Sequence, residues 1–99
     1  ARTALEIATR GGAACLGRTG ELGELSPGSV GDIAIWRLEG PQFAGVLDDP
    51  IEGWLRCGPL AATHVFVHGN QIVDEGIFAN PQMEEMLSRH RTVAQRFQP

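Results

Sequence analysis

Leu25-Ser26-Pro27-Gly28-Ser29-Val30-Gly31-Asp32-Ile33-Ala34-Ile35-Trp36 is the stretch that decides the fold. Pro27-Gly28 is a turn signal, and Gly31-Asp32 carries the chain out of it into an apolar, β-branched run. Ile33, Ala34, Ile35 and Trp36 are continuous in apolar character rather than alternating. That pattern predicts a strand over residues 33–38 covered on both faces. Little else in a chain of 99 residues offers to cover two faces. Further on, residues 63–68 alternate, with Val65 and Val67 on one face, and Gly69-Asn70 predicts a two-residue hairpin turn. Residues 71–74 form the return strand, and Glu75-Gly76 turns the chain again.

Working outward, residues 3–10 read as a helix, with Ala4, Leu5, Ile7 and Ala8 on one side. Gly11-Gly12 is expected to interrupt it, residues 13–16 to add a helical turn, and Gly17 to stop that turn. Residues 20–31 form a tight loop with a short strand around 21–25, and residues 40–49 are irregular. Asp49-Pro50 opens a helix as N-cap and first helical residue, Ile51, Trp54 and Leu55 recur at helical spacing, and Gly58-Pro59 ends it. Asn80-Pro81 starts a last helix running to about Phe97. Met83, Met86, Leu87, His90, Val93, Ala94 and Phe97 lie on its apolar face, and Glu84 and Glu85 in its first turns suit the helix dipole.

Composition narrows the function classes. The net charge is −4 and every fixed positive charge is an arginine, scattered along the chain without a basic patch. This argues against a nucleic-acid partner. No apolar run approaches the roughly 20 residues of a membrane helix. Cys15 and Cys57 form no C-x-x-C and no zinc-spaced set. They are expected to be reduced, interior thiols in a cytoplasmic protein.

The chemistry-bearing residues form no catalytic constellation. His64 and His68, four apart on a strand, would share a face, but a metal would need a third ligand. A small metal-binding domain built on the two is a third reading. His90 is expected to be partly buried and hydrogen-bonded in the last helix. Asp48-Asp49 reads as a cap, and Glu84-Glu85 as a solvated first turn. Gly11-Gly12 and the glycines of residues 17–31 lack the pattern and the lysine of a phosphate loop. Ser26, Ser29 and Ser88 lack a nucleophile elbow. No catalytic, cofactor-binding or metal-ligating role is assigned to any residue of the chain.

The order of these segments resembles the C-terminal end of metal-dependent amidohydrolases. Residues 3–13 look like the "E-A-L-x-x-A-T-x-x-G-A" helices that close the barrel of that family. Residues 23–36 look like its "G-x-L-x-P-G-x-x-A-D" return into a small β domain, with Gly31 in place of Ala. Phe43-Ala44-Gly45-Val46-Leu47-Asp48-Asp49-Pro50 followed by Cys57-Gly58 resembles the branch of 8-oxoguanine deaminases and hydroxyatrazine-type aminohydrolases, with Asp48 where a His is usual. Residues 65–73 resemble a "V-x-V-N-G-x-x-V-V" hairpin, with His68 in place of Asn.

The resemblance implies an α+β fragment of a larger enzyme. Residues 1–19 would be the final helices of a (β/α)8 barrel, residues 20–79 half of a composite β-sandwich built from both chain ends, and residues 80–99 a C-terminal helix. Ile33, Ile35, Val65, Val67 and Ile72 would supply strands to the sandwich, and Leu5, Ile7 and Leu16 would pack on the barrel. It implies a parent that holds zinc or iron and deaminates a purine or triazine-like heterocycle by hydrolysis, with every metal ligand outside these residues. The implied partners are the rest of the parent chain and a small heterocyclic substrate of the parent, and the last helix would cover an outer face or a subunit contact of a homo-oligomer. The rival reading is a stand-alone α+β interaction module without catalysis, stabilised by dimerisation.

Overall fold

A computed structural model describes residues 1–46, 48–58 and 60–97. Leu47, within the 43–50 motif, and Pro59, the second half of the expected helix stop, lie outside the described residues, as do Gln98 and Pro99. The chain opens with a helical rod: α1 (Arg2–Glu6), a π-helical turn (Ile7–Gly11) and α2 (Gly12–Cys15). The expected break at Gly11-Gly12 does not occur. Both glycines keep helical dihedrals, and the rod accommodates its irregularity as wider i→i+5 bonding instead. Gly17 does stop the helix. At φ +67° it lets its own N–H reach Ala14 O (3.0 Å) while Arg18 N–H reaches Ala13 O (2.9 Å). These are the two bonds of a Schellman cap.

Residues 19–32 are turns, not the expected strand at 21–25; a single bridge joins Thr19 to Leu22. Gly23 presses this loop onto the helical rod. At φ +76°, a Cβ there would lie 2.5 Å from the Thr9 carbonyl oxygen, so the close approach needs glycine.

Four strands follow, in an antiparallel meander of order β1 (Ile33–Ile35), β2 (His64–Val67), β3 (Asn70–Asp74), β4 (Ile77–Phe78). β1 is shorter than the expected 33–38, and β4 extends the sheet beyond the expected hairpin. Ile33 and Ile35 pair with Phe66 and His64, and so share a face with them; Ala34, Val65, Val73 and Phe78 share the other. A bulge leaves Ile72 without a partner opposite, because Val65 pairs with Val73 and Phe66 with Gln71.

The β2–β3 loop is His68-Gly69, not Gly69-Asn70, since Val67 pairs with Asn70. Both loop residues have positive φ, +50° and +78°, the dihedral signature of the favoured hairpin turn. Asp32 Oδ1 accepts the His68 N–H (2.8 Å) and Gly31 O accepts the Gly69 N–H (2.9 Å). The Gly31-Asp32 corner therefore fastens the tip of the hairpin. Glu75-Gly76 repeats the turn pattern between β3 and β4.

Between β1 and β2, a 3₁₀ turn (Pro41–Phe43) and α3 (Pro50–Cys57) fold together. Asp49 caps α3 as expected: its Oδ1 accepts from the N–H groups of Ile51 (3.2 Å) and Glu52 (3.1 Å). Trp54 of α3 stacks on Trp36 at 4.8 Å between ring centroids, tilted by 52°. The last helix, α4 (Met83–Gln95), begins later than Asn80 because the Asn80 side chain closes a turn onto Gln82 N–H (2.9 Å).

Very little of this is interior. Among the described residues only Ala13 and Phe43 are buried hydrophobics. β1, expected to be covered on both faces, is exposed along its length. Cys15 is exposed and Cys57 half-buried, both as free thiols, so the expected interior thiols are not found here. His90, expected to be partly buried, is exposed, as is almost all of α4. The common cause is the absence of a second layer within these residues.

Candidate functional site

Among the described residues, a polar cluster that includes a histidine and two carboxylates forms at the β3–β4 turn. His64 Nδ1 lies 3.2 Å from Asp74 Oδ1, and its Nε2 lies 3.4 Å from Glu75 Oε1. The Gln71 amide bonds Asp74 (3.2 Å) and meets His64 Nδ1 (3.3 Å). Arg37 grips Glu75 with two bonds of 3.0 Å. The cluster pins the end of β1 to the far turn of the sheet. Ligand atoms of His64, Asp74 and Glu75 lie within 4.8 Å of one another, but the two carboxylates face different ring nitrogens. One ion cannot take both edges of one imidazole, and Glu75 is already engaged by a guanidinium. The cluster does not fit the catalytic metal centre of a hydrolase.

The other candidates fall apart in space or into structural roles. His68 sits in the hairpin turn, so it does not share a strand face with His64. Glu84 and Glu85 occupy the exposed first turn of α4. Asp48 is exposed beside the Asp49 cap. Gly11 and Gly12 are inside a helix and form no phosphate cradle. Ser26 bonds Glu24 (3.1 Å) and Ser29 (2.9 Å) within the loop, and Ser88 offers its carbonyl to Thr92 (3.2 Å). Among the described residues, no helix is long and apolar enough to cross a membrane.

One hollow among the described residues is largely apolar. A groove of about 510 Å³ opens between the helical rod, the 23–25 loop, β1 with its continuation to Leu38, and α3. Leu5, Leu25, Ile33, Trp36, Ile51 and Trp54 are among its walls. Thr9, Glu24 and Asp32 are the polar residues of its lining, and the rest is apolar or glycine. The run 33–36 signalled this surface in the sequence; the contribution of Trp54 was not legible there, because α3 meets β1 only through the fold.

No family model matches the chain. Individual proteins do. It is 37% identical over 91 residues, 92% of its length, to 8-oxoguanine deaminase of Pseudomonas aeruginosa. Atrazine chlorohydrolase of Arthrobacter aurescens, solved with zinc and atraton, superposes with a TM-score of 0.82 at 36% identity over 93% of the chain. The chain is similar to the C-terminal part of amidohydrolases. A 5-methylthioadenosine/S-adenosylhomocysteine deaminase of Syntrophobacter fumaroxidans is 29% identical over 100 residues. The chain spans about a fifth of the length of these curated relatives. It is an α+β fragment whose four-stranded antiparallel sheet and helices match the C-terminal part of amidohydrolase structures. The expected likeness to the 8-oxoguanine deaminase and triazine branch is borne out by the relatives it finds.

Proposed function

We propose that these residues are the C-terminal structural part of a metal-dependent aminohydrolase that releases ammonia from a purine or triazine-like ring. The observation that carries this reading is the agreement of sequence and shape: 37% identity to an 8-oxoguanine deaminase and a TM-score of 0.82 to a zinc-bound atrazine chlorohydrolase, each over more than nine-tenths of the chain. The parent is cytoplasmic and uses zinc or iron at a centre made by other residues. Within the segment, residues 1–19 close a barrel, residues 20–79 form half of a composite β-sandwich, and residues 80–99 add an outer helix. The near-absence of buried side chains supports a role completed by the rest of the parent chain. It also weighs against the stand-alone interaction module.

The test is ammonia release by the full-length parent, with its metal, from 8-oxoguanine, from aminotriazines and from 5′-methylthioadenosine. Turnover of one class, lost on chelation and restored by zinc or iron, is expected. Failure on all three, in a folded and metal-loaded protein, would refute the reading.

A further inference from the structure

We propose that α4 pairs antiparallel with the α4 of a second copy of the parent chain. The proposal rests on the reading of residues 80–99 as an outer helix and names what that helix meets.

The first observation is an uncovered face. Every residue of α4 after Met83 is exposed, Met86, Leu87 and Val93 among them. The helical path continues past Gln95 to the exposed Phe97, because the N–H groups of Arg96 and Phe97 reach the carbonyls of Val93 (3.0 Å) and Ala94 (3.1 Å). A contiguous apolar face of this kind marks an interaction surface.

The second is the symmetry of that face about one residue. Met83 and Phe97 are each seven residues from His90, Met86 and Ala94 four, Leu87 and Val93 three. At about 100° per residue they all fall on one side of the helix. A two-fold interface uses the same patch twice, so the patch must match itself when reversed. Reversal about His90 lays Met83 against the partner's Phe97, Met86 against the partner's Ala94 and Leu87 against the partner's Val93. Every layer is apolar except the central one, where His90 meets the partner's His90. A single polar residue in a helical seam fixes its register at some cost in stability.

The third is that charge has the opposite symmetry. Glu84 and Glu85 fill the first turn of α4, and Arg96 is its C-cap. Glu84 stands six residues before His90 and Arg96 six after it. Reversed copies bring the acidic end of each helix level with the basic end of the other, at both ends of the seam. A parallel pair would set acid beside acid. Arg89 and Arg91 flank the centre, but they lie about 160° apart around the helix, at opposite margins of the face beside solvent. An apolar pattern that is symmetric, and a charge pattern that is antisymmetric, about the same residue is what a self-pair requires. An unrelated surface of the parent makes no such demand. The seam is about 20 Å long, with seven residues a side against the roughly 20–30 of a standard interface. The pair on its own is therefore weak and concentration-dependent.

The experiment is sedimentation velocity on the full-length, metal-loaded parent over a range of concentrations. Leu87→Glu with Val93→Glu is expected to halve the mass of the assembly or to weaken it 100-fold or more. An unchanged mass, or a parent that is monomeric at every concentration, would overturn the proposal. If that variant fails to fold, charge variants at exposed positions decide. Arg96→Glu should weaken association several-fold, since exposed ion pairs are individually weak, and adding Glu84→Arg and Glu85→Arg should restore it. Glu85 and Arg96 are about 16 Å apart along one helix, so the rescue acts only between copies. Absence of rescue would overturn the pair. Ammonia release is measured on the same samples. An active enzyme whose mass ignores these substitutions refutes the helix pair and spares the reaction class, and an inactive one whose mass halves does the reverse.

Discussion

Cut from its parent, the 99-residue segment should lose its cooperative fold. Its accessible surface is 7803 Å² for a mass of 10.6 kDa. A compact monomer of that mass exposes about 5,500 Å², so roughly 2,300 Å² is in excess. With about half of it apolar and ~25 cal/mol per Å², the missing burial corresponds to about 30 kcal/mol. That exceeds the ~5–15 kcal/mol that hold an ordinary domain together. The radius of gyration agrees: 17.1 Å against about 13 Å for a compact chain of this length. The assay is thermal unfolding of residues 1–99 by circular dichroism, with a dye that binds exposed apolar surface. A broad, non-sigmoidal change with strong dye binding is expected, and co-expression of the upstream chain should restore a single transition. A sharp, concentration-independent transition of a monomer, with equal calorimetric and van't Hoff enthalpies, would refute the reasoning. A sharp but concentration-dependent one would instead favour the dimeric interaction module.

Four further outcomes are expected, all in the full-length parent. Gly23→Ala should lower the unfolding free energy by about 2 kcal/mol or more, since its methyl group would meet the Thr9 carbonyl in a strained backbone; chemical denaturation measures it. Asp49→Ala should cost about 1 kcal/mol through the lost α3 cap, read as a lower Tm with unchanged KM. His68→Asn should stabilise by roughly 0.5 kcal/mol, because Asn accepts positive φ more readily; a fall in Tm would contradict the turn assignment. His64→Gln should leave kcat/KM within about twofold and the bound metal unchanged by elemental analysis, the cluster around it being an interstrand tie.

How much of this was written in the sequence depends on how local each signal is. The Asp49-Pro50 cap and the Gly17 stop are legible because one or two residues determine them. Glu75-Gly76 was equally plain. The helix through Gly11-Gly12 was not, because the rod around the pair outweighs two glycines' poor propensity. The hairpin register slipped by one residue because His68 is an unusual occupant of a positive-φ position, and what holds it there, Asp32, is 36 residues away in sequence. The His64–Asp74–Glu75–Arg37 cluster is likewise assembled by strand pairing alone. The apolar run 33–36 predicts cover on both faces; its exposure in β1 follows because these residues supply no second layer.

The Trp36–Trp54 pair has a practical consequence. These are the only two tryptophans of the segment, and both stand on the walls of the open groove. Their ultraviolet emission therefore reports whether that hollow is wet or filled. A shift to shorter wavelength as further polypeptide docks would let assembly of the parent chain be timed without any added label.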